Sequence, residues 1–496
     1  MNSETPLPKE IRLKLSLGLL LTLVFLYRLA TTTADPDLWG YLAFGRLLWE
    51  QGRFPYQDVF SWVPTINPWI YHEWLTGVLF YPLYQHLGGP GLQVLKYGFG
   101  LATAGLIYLT ARKRGADPLA AALMLFIVQG FLTVGYSAVR AQVFTYFFFA
   151  LTLYLLETAR LTGHWRGLWF LVLIQVPWCN LHGGFLSGLG LIALYALGEA
   201  LSRRPFWPFA GIFVLSGLAT LINPYGLKYW AYLGRAVSMP RPEITEWASS
   251  LQAYLTGITS ANEFLYFVAI IIFAFFLIWW GRWREITPGL ILIFTLYLGL
   301  SHNRHQVFFM LTVGAYLPLL LTAYLEVWKS RLPFPALSKR LRSKIPLLAG
   351  ALIAVFLGYQ IVSLSPLSLK TPPGPQSGTM TELYYPVGAV AYLKEQGLSG
   401  KLLTDFNWGE YLIWTLYPQC RVAIDGRYET VYPEEVARLY FDFLFGRPAW
   451  RQFLEHYPPE MILIDTRTKV YRLMLREAPW RQVYADSGCA LFLREQ

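Results

Sequence analysis

Charge is what this sequence has least of. Only 14% of its 496 residues are Asp, Glu, Lys or Arg, against about 25% in soluble domains, too little to cover a water-facing surface. A purely soluble enzyme is excluded. Cysteine is nearly absent: Cys179, Cys420 and Cys489 form neither a metal motif nor a disulfide framework. Cys420 and Cys489 would be able to pair in an exported segment, and two unpaired core cysteines are the simpler reading. There is no Gly-rich phosphate loop, soluble nucleotide-sugar motif or nucleophile elbow.

What is present is apolar: 55% of residues are hydrophobic and 17% aromatic, in long blocks separated by short basic loops. The net charge of +11 does not make a nucleic-acid footprint, which needs a polar domain with clustered basic residues. Here the basic residues punctuate hydrophobic runs and set topology. The first run, Leu15 to Tyr27, follows Lys9, Arg12 and Lys14 and reads as an uncleaved first helix. Further spans are expected near 92–111, 119–136, 142–159, 168–180, 185–201, 206–222, 264–280, 287–300, 306–325 and 345–364, about eleven in all. With a cytoplasmic N-terminus, Arg112-Lys113-Arg114, Arg160, Arg166, Arg203-Arg204, Arg282, Arg284 and the stretch Lys329 to Lys344 share one side. That partition requires Leu38 to Trp49 and Trp74 to Leu87 to lie along the membrane surface, in one long external loop, residues 32–91.

The other side collects the polar residues. Asp35-Pro36-Asp37, His72-Glu73, Arg140, Asn180 and His182, Glu243, Glu246 and the run His302-Asn303-Arg304-His305 all fall at external helix ends or loops. A charge at the bilayer centre costs on the order of 3 kcal/mol and less at helix ends, so several charged groups at one level mark a site. The stretch Pro240 to Asn262 is long enough for a lid or a surface helix.

After residue 364, a Pro-rich linker over 365–380 leads to alternating helices and strands over 381–496, an α/β domain placed outside the cell. Its first three strands end at Asp405, Asp425 and Asp465, followed by Asn407, Arg427 and Arg467. Such positions line a crevice at the carboxyl ends of parallel strands, or cap the turns that follow. Filled, the crevice would hold an acceptor sugar or a partner protein.

The first helix, the long first loop with Asp35 and Asp37, and the many spans ending in an external domain resemble the GT-C superfamily of integral-membrane glycosyltransferases. His72-Glu73-Trp74 stands where some branches carry Lys-Pro-Pro or His-Pro-Pro, and the Asn-Leu-His-Gly-Gly and His-Asn-Arg-His segments resemble an uncharacterised bacterial branch. The resemblance implies a multi-pass cell-membrane protein that moves a sugar from a polyprenyl-phosphate donor to an envelope glycan, lipid or protein acceptor. Asp35 or Asp37 would then be the general base, with Asp35 preferred because it follows the membrane helix directly. His72, Glu73, Arg140, Asn180, His182, Glu246, His302, Asn303, Arg304 and His305 would contact substrate or its phosphate. Zinc is not expected at His302 and His305; a divalent ion, Mg or Mn, would use Asp37, Glu73 and phosphate oxygens. The competing classes are a flippase of lipid-linked sugars, which would need midplane polar groups or broken helices, and an inactive scaffold of the same fold.

Overall fold

The computed structural model describes residues 9–136, 138–239, 241, 243–331, 339–375 and 382–495. Part of the basic stretch Lys329 to Lys344 and the end of the Pro-rich linker lie outside them. The chain begins with α1 (Lys9–Arg28), α2 (Pro36–Gln51), α3 (Trp74–Lys113), α4 (Pro118–Val134), α5 (Gln142–Thr162), α6 (Trp169–Leu181), α7 (Phe185–Leu201) and α8 (Trp207–Ala219). It continues through α9 (Leu227–Ser238), α10 (Ser250–Leu255), α11 (Ala261–Trp280), α12 (Ile286–Ser301), α13 (Gln306–Tyr316), α14 (Pro318–Arg331) and α15 (Lys339–Ser363).

Each apolar run expected to span is helical. The run 306–325 is broken at Leu317, where the axis bends by 51°; Pro318, which has no N–H to donate, starts the second half. Among the described residues, four segments are by length and composition able to cross a membrane: α3, α5, α11 and Pro346–Ser363 of α15. The bent α13–α14 pair makes five, and α1, α4, α7, α8 and α12 supply shorter apolar helices. That is fewer full-length spans than the eleven expected.

The two segments assigned to the membrane surface are both helical. α2 is covered by protein on more than one face: Leu38, Trp39, Tyr41, Leu42, Phe44 and Leu47 are all buried. Trp74 to Leu87 is the first half of α3, which breaks at Gly88 (φ 61°, ψ −156°), a backbone conformation open to glycine. α2 and α3 pack backbone to backbone at Gly77, where an added Cβ would lie 2.6 Å from the Tyr41 carbonyl oxygen. A one-sided stripe does not reveal that α2's other faces are covered by a distant part of the chain.

That cover is the C-terminal α/β segment: α16 (Val387–Glu395), β1 (Gly400–Thr404), α17 (Gly409–Leu416), β2 (Cys420–Val422), α18 (Tyr428–Val431), α19 (Glu434–Leu444), α20 (Arg451–His456), β3 (Met461–Asp465), α21 (Lys469–Met474), β4 (Trp480–Ala485) and β5 (Cys489–Arg494). The sheet order is β2-β1-β3-β5-β4; β1 runs parallel to β2 and β3, and β5 antiparallel to β3 and β4. The first long loop joins the free edge of β2, with Val422 N–H donating to Phe60 O (3.0 Å) and Trp62 N–H to Val422 O (3.2 Å). Lys370, past α15, pairs with Thr33, just before α2. The three cysteines are free and buried.

Candidate active site

The site is built around the start of α2. Asp35 is its N-cap, the Oδ1 accepting from Asp37 N–H at 3.1 Å, and Pro36 occupies the first helical position, a sequence pattern that starts helices. The Asp35 side chain is 12% exposed, whereas that of Asp37, two residues further, is 29% exposed.

Arg140, on the connection between α4 and α5, reaches three carboxyls. Its Nη2 donates to Asp37 Oδ2 (2.6 Å), its Nη1 to Glu246 Oε1 (2.6 Å), and its Nε lies 3.2 Å from Asp35 Oδ1. Glu246 comes from a short turn, Thr245–Trp247, and its second oxygen lies 3.5 Å from Arg304 Nη1. The neighbouring Trp247 ring carries Arg241 on its face at 4.5 Å and Arg304 at 5.2 Å, cation–π contacts, and has His302 and His305 against it edge-on. The Nδ1 atoms of His302 and His305 are buried without a hydrogen-bond partner. Buried polar atoms are normally paired, so this cationic wall has unused capacity.

A second cluster adjoins the first. His182 Nδ1 meets Gly184 N–H (2.9 Å) and the Thr145 hydroxyl (2.8 Å), while Thr145 itself accepts from Trp178 Nε1 (2.9 Å). Nδ1 is therefore the acceptor, and the proton sits on Nε2, which lies 3.4 Å from Glu73 Oε1. His72 Nε2 lies 3.6 Å from the same oxygen, and its Nδ1 faces the Tyr232 hydroxyl at 3.4 Å. Burial pushes the Glu73 carboxyl up to about 8, with Asp37 adding to the rise, and pushes His72 down to about 4. His182 is held well below its ordinary value, mainly by burial. These rings are neutral at pH 7, so they recognise anions through N–H groups and not through charge. Burial, opposed by Arg140, lifts Asp35 to about 8, whereas Glu246, next to Arg140, falls to about 2.

Solved structures align with this chain over nearly its whole length. Two are crystal structures of ArnT from Cupriavidus metallidurans. The one bound to undecaprenyl phosphate is 13% identical with a TM-score of 0.48, covering 96% of this chain and 97% of that one. The apo state is 14% identical with a TM-score of 0.48, covering 97% of both chains. No family model matches the chain, and no curated protein does.

Of the residues singled out by sequence, Asp35, Asp37, Arg140, Glu246 and Arg304 form one connected chain, with His302 and His305 beside it and His72, Glu73 and His182 as a second group. Asn180 is a wall residue: it accepts from Trp74 Nε1 (2.7 Å) and donates to Val176 O and Ile222 O. Asn303 holds its own turn, accepting from Gln306 Nε2 and donating its N–H to Ala248 O. Among the described residues no three His, Cys, Asp or Glu side chains group as a metal site; Asp37 meets Arg140, and Glu73 lies against His72 and His182.

The crevice of the α/β segment is closed in its middle. Asp425 and Arg427 are buried and pair with each other (Nη2 to Oδ2, 2.7 Å), and Arg427 also pairs with Asp58 of the first long loop. Asp425 Oδ2 further accepts from Tyr432 OH at 2.6 Å. Asp405 caps a turn through Asn407 N–H (3.0 Å), and Asp465 holds Arg467 (2.8 Å). These carboxyls are held in caps and ion pairs.

Sequence reasoning passed over four residues of consequence. Thr145 fixes the His182 tautomer. Arg241 pairs with Glu429 at 3.1 Å, so the Trp247 turn is tied to the α/β segment on one side and to Arg140 on the other. Asp58 closes the buried arginine network. Glu410, in the first turn of α17, accepts from Gly40 N–H of α2 at 3.1 Å. An acid in a helix's first turn is an ordinary dipole partner, and nothing local marked it as reaching 370 residues back along the chain.

Proposed function

We propose that the protein is a membrane glycosyltransferase that takes a sugar from a polyprenyl-phosphate donor at the external face of the membrane. The observation that carries this reading is the continuous array Asp35/Asp37–Arg140–Glu246–Arg304 beside the unpartnered Nδ1 atoms of His302 and His305. It sets a carboxylate base against an anion-binding wall.

Glycosyl transfer to a hydroxyl forms a bond from the acceptor oxygen to the anomeric carbon and breaks the bond from that carbon to phosphate. The acceptor proton goes to the base and the electron pair of the broken bond to the phosphate. Asp37 is the better placed base, because Asp35 is buried in its cap and Asp37 faces the array; the preference for Asp35 drawn from chain position is revised accordingly. Arg140 and Arg304 stabilise the charge that grows on the leaving phosphate, helped by N–H groups of the neutral histidines. Protonated Glu73 adds no negative charge beside that phosphate.

The helix break at Gly88 and the bend at Leu317 give the flippase reading its one structural support. Purified protein in lipid with a panel of polyprenyl-phosphate sugars separates the two. Donor-dependent release of polyprenyl phosphate that is lost in Asp37→Asn supports transfer, and movement of intact donor between leaflets supports transport.

A further inference from the structure

Glu410 belongs to the α/β segment yet is 4% exposed and touches the helix that starts the site. Its Oε2 accepts from Gly40 N–H at 3.1 Å. Gly40 has no room for a side chain, since an added Cβ would lie 2.5 Å from Glu410 Cδ. A Cβ added at Gly426 would meet Glu410 Oε1 at 3.1 Å and Asp37 Oδ1 at 3.3 Å, so both carboxyls converge on that glycine from distant parts of the chain. The other oxygen of Asp37 is held by Arg140. Aromatic packing secures the contact: Trp39 of α2 meets Tyr411 of α17 edge-on at 5.4 Å and Tyr385 at 6.1 Å.

We propose that Glu410 is a positioning residue of the membrane site: from the α/β segment it holds the first turns of α2, and with them Asp37, in register with Arg140. This rests on the reading of Asp37 as the base. The groups around Glu410 are Asp35 and Asp37 on α2, Asp425 and Arg427 after β2, and Tyr71 and Tyr385. Arg427 is already spent on Asp425 and Asp58. An ionised Glu410 would set a negative charge with no free cation beside Asp37, whose own charge is met by Arg140, so it works protonated, and burial with Asp37 beside it raises it well above the usual carboxylate range. The α/β segment is on this account part of the enzyme's site, docked on it and not merely tethered to it.

The test compares Glu410→Gln, Glu410→Ala and Gly40→Ala in the full-length protein in lipid, scoring kcat and donor KM per folded molecule. Gln keeps the size of Glu and an acceptor for Gly40 N–H and carries no charge, so Glu410→Gln is expected to retain kcat. Glu410→Ala and Gly40→Ala should each lose about a hundredfold in kcat, the scale of a small misplacement of a reacting group, with donor KM little changed. Full kcat in Glu410→Ala, or a Glu410→Gln as inactive as Asp37→Asn, overturns the proposal. If the wild type releases no polyprenyl phosphate from any donor, the glycosyltransferase reading fails alone, and amide exchange over residues 36–42 decides the rest. It should speed up in Glu410→Ala and Gly40→Ala but not in Glu410→Gln, and equal exchange in all three refutes the contact.

Discussion

Arg140 shows how much a single residue is asked to do: one planar guanidinium meets Asp35, Asp37 and Glu246 with three different nitrogens, which a lysine's point charge would not reproduce. The two aspartates it holds are separable. Asp35→Asn keeps a good N-cap, whereas Asp35→Ala removes it at a cost of about 1 kcal/mol; thermal unfolding is expected to rank Ala below Asn, and equal midpoints would contradict the capping role. Glu73 gives a pH prediction with a definite sign. Its carboxyl stands at about 8 in the fold, above its ordinary 4.5, so the folded state binds the proton more tightly than the unfolded one. The stability it contributes is complete below about pH 4.5 and is lost as pH rises toward 8. Glu73→Gln should flatten the decline in unfolding midpoint over that range; an unchanged slope would refute it. The residue types were legible in the sequence because charged groups at membrane helix ends are rare. Their roles were less so: His182 and Asn180 lie in one motif, yet one faces Glu73 and the other spends its amide on backbone carbonyls.

At the scale of elements, α2 carries the account. The spacing of its leucines marked a helix over Leu38 to Trp49, and the structure extends it to Pro36–Gln51, capped by Asp35. Its burial was not legible, because the faces that look amphipathic in isolation are covered by α3 on one side and α17 on the other. The α2–α3 crossing depends on Gly77, and Gly77→Ala, forcing a Cβ against the Tyr41 carbonyl, should cost about 1–3 kcal/mol. Thermal unfolding at wild-type temperature would contradict that close approach. The strands of the α/β segment were readable from their β-branched and aliphatic runs, but the use of Asp425 and Arg427 was not, since their partners Asp58 and Ser61 sit in another region of the chain.

Across the whole molecule, the scarce charges gather at two ends of the helical bundle. Arg140 stands at the start of α5, and Glu157 and Arg160 at its far end, about 25 Å away along a helix of that rise. There Arg114, Arg160, Glu157 and Glu285 form a buried network: Arg160 Nη2 lies 2.7 Å from both Glu157 Oε1 and Glu285 Oε2, Arg114 Nη2 lies 2.6 Å from Glu285 Oε1, and Tyr195 OH donates to Glu157. Both carboxylates of that end are met by arginines, whereas the Asp37 end keeps unpartnered histidine nitrogens and draws in Glu410 from the α/β segment. On that contrast the proposed transfer is assigned to the Asp37 end. Release of polyprenyl phosphate from a lipid-linked sugar by the purified protein in lipid tests this most directly. The account predicts release that depends on the donor sugar, requires an acceptor hydroxyl and falls by a hundredfold or more in Asp37→Asn, about the contribution of a general base; release undiminished in Asp37→Asn would contradict it.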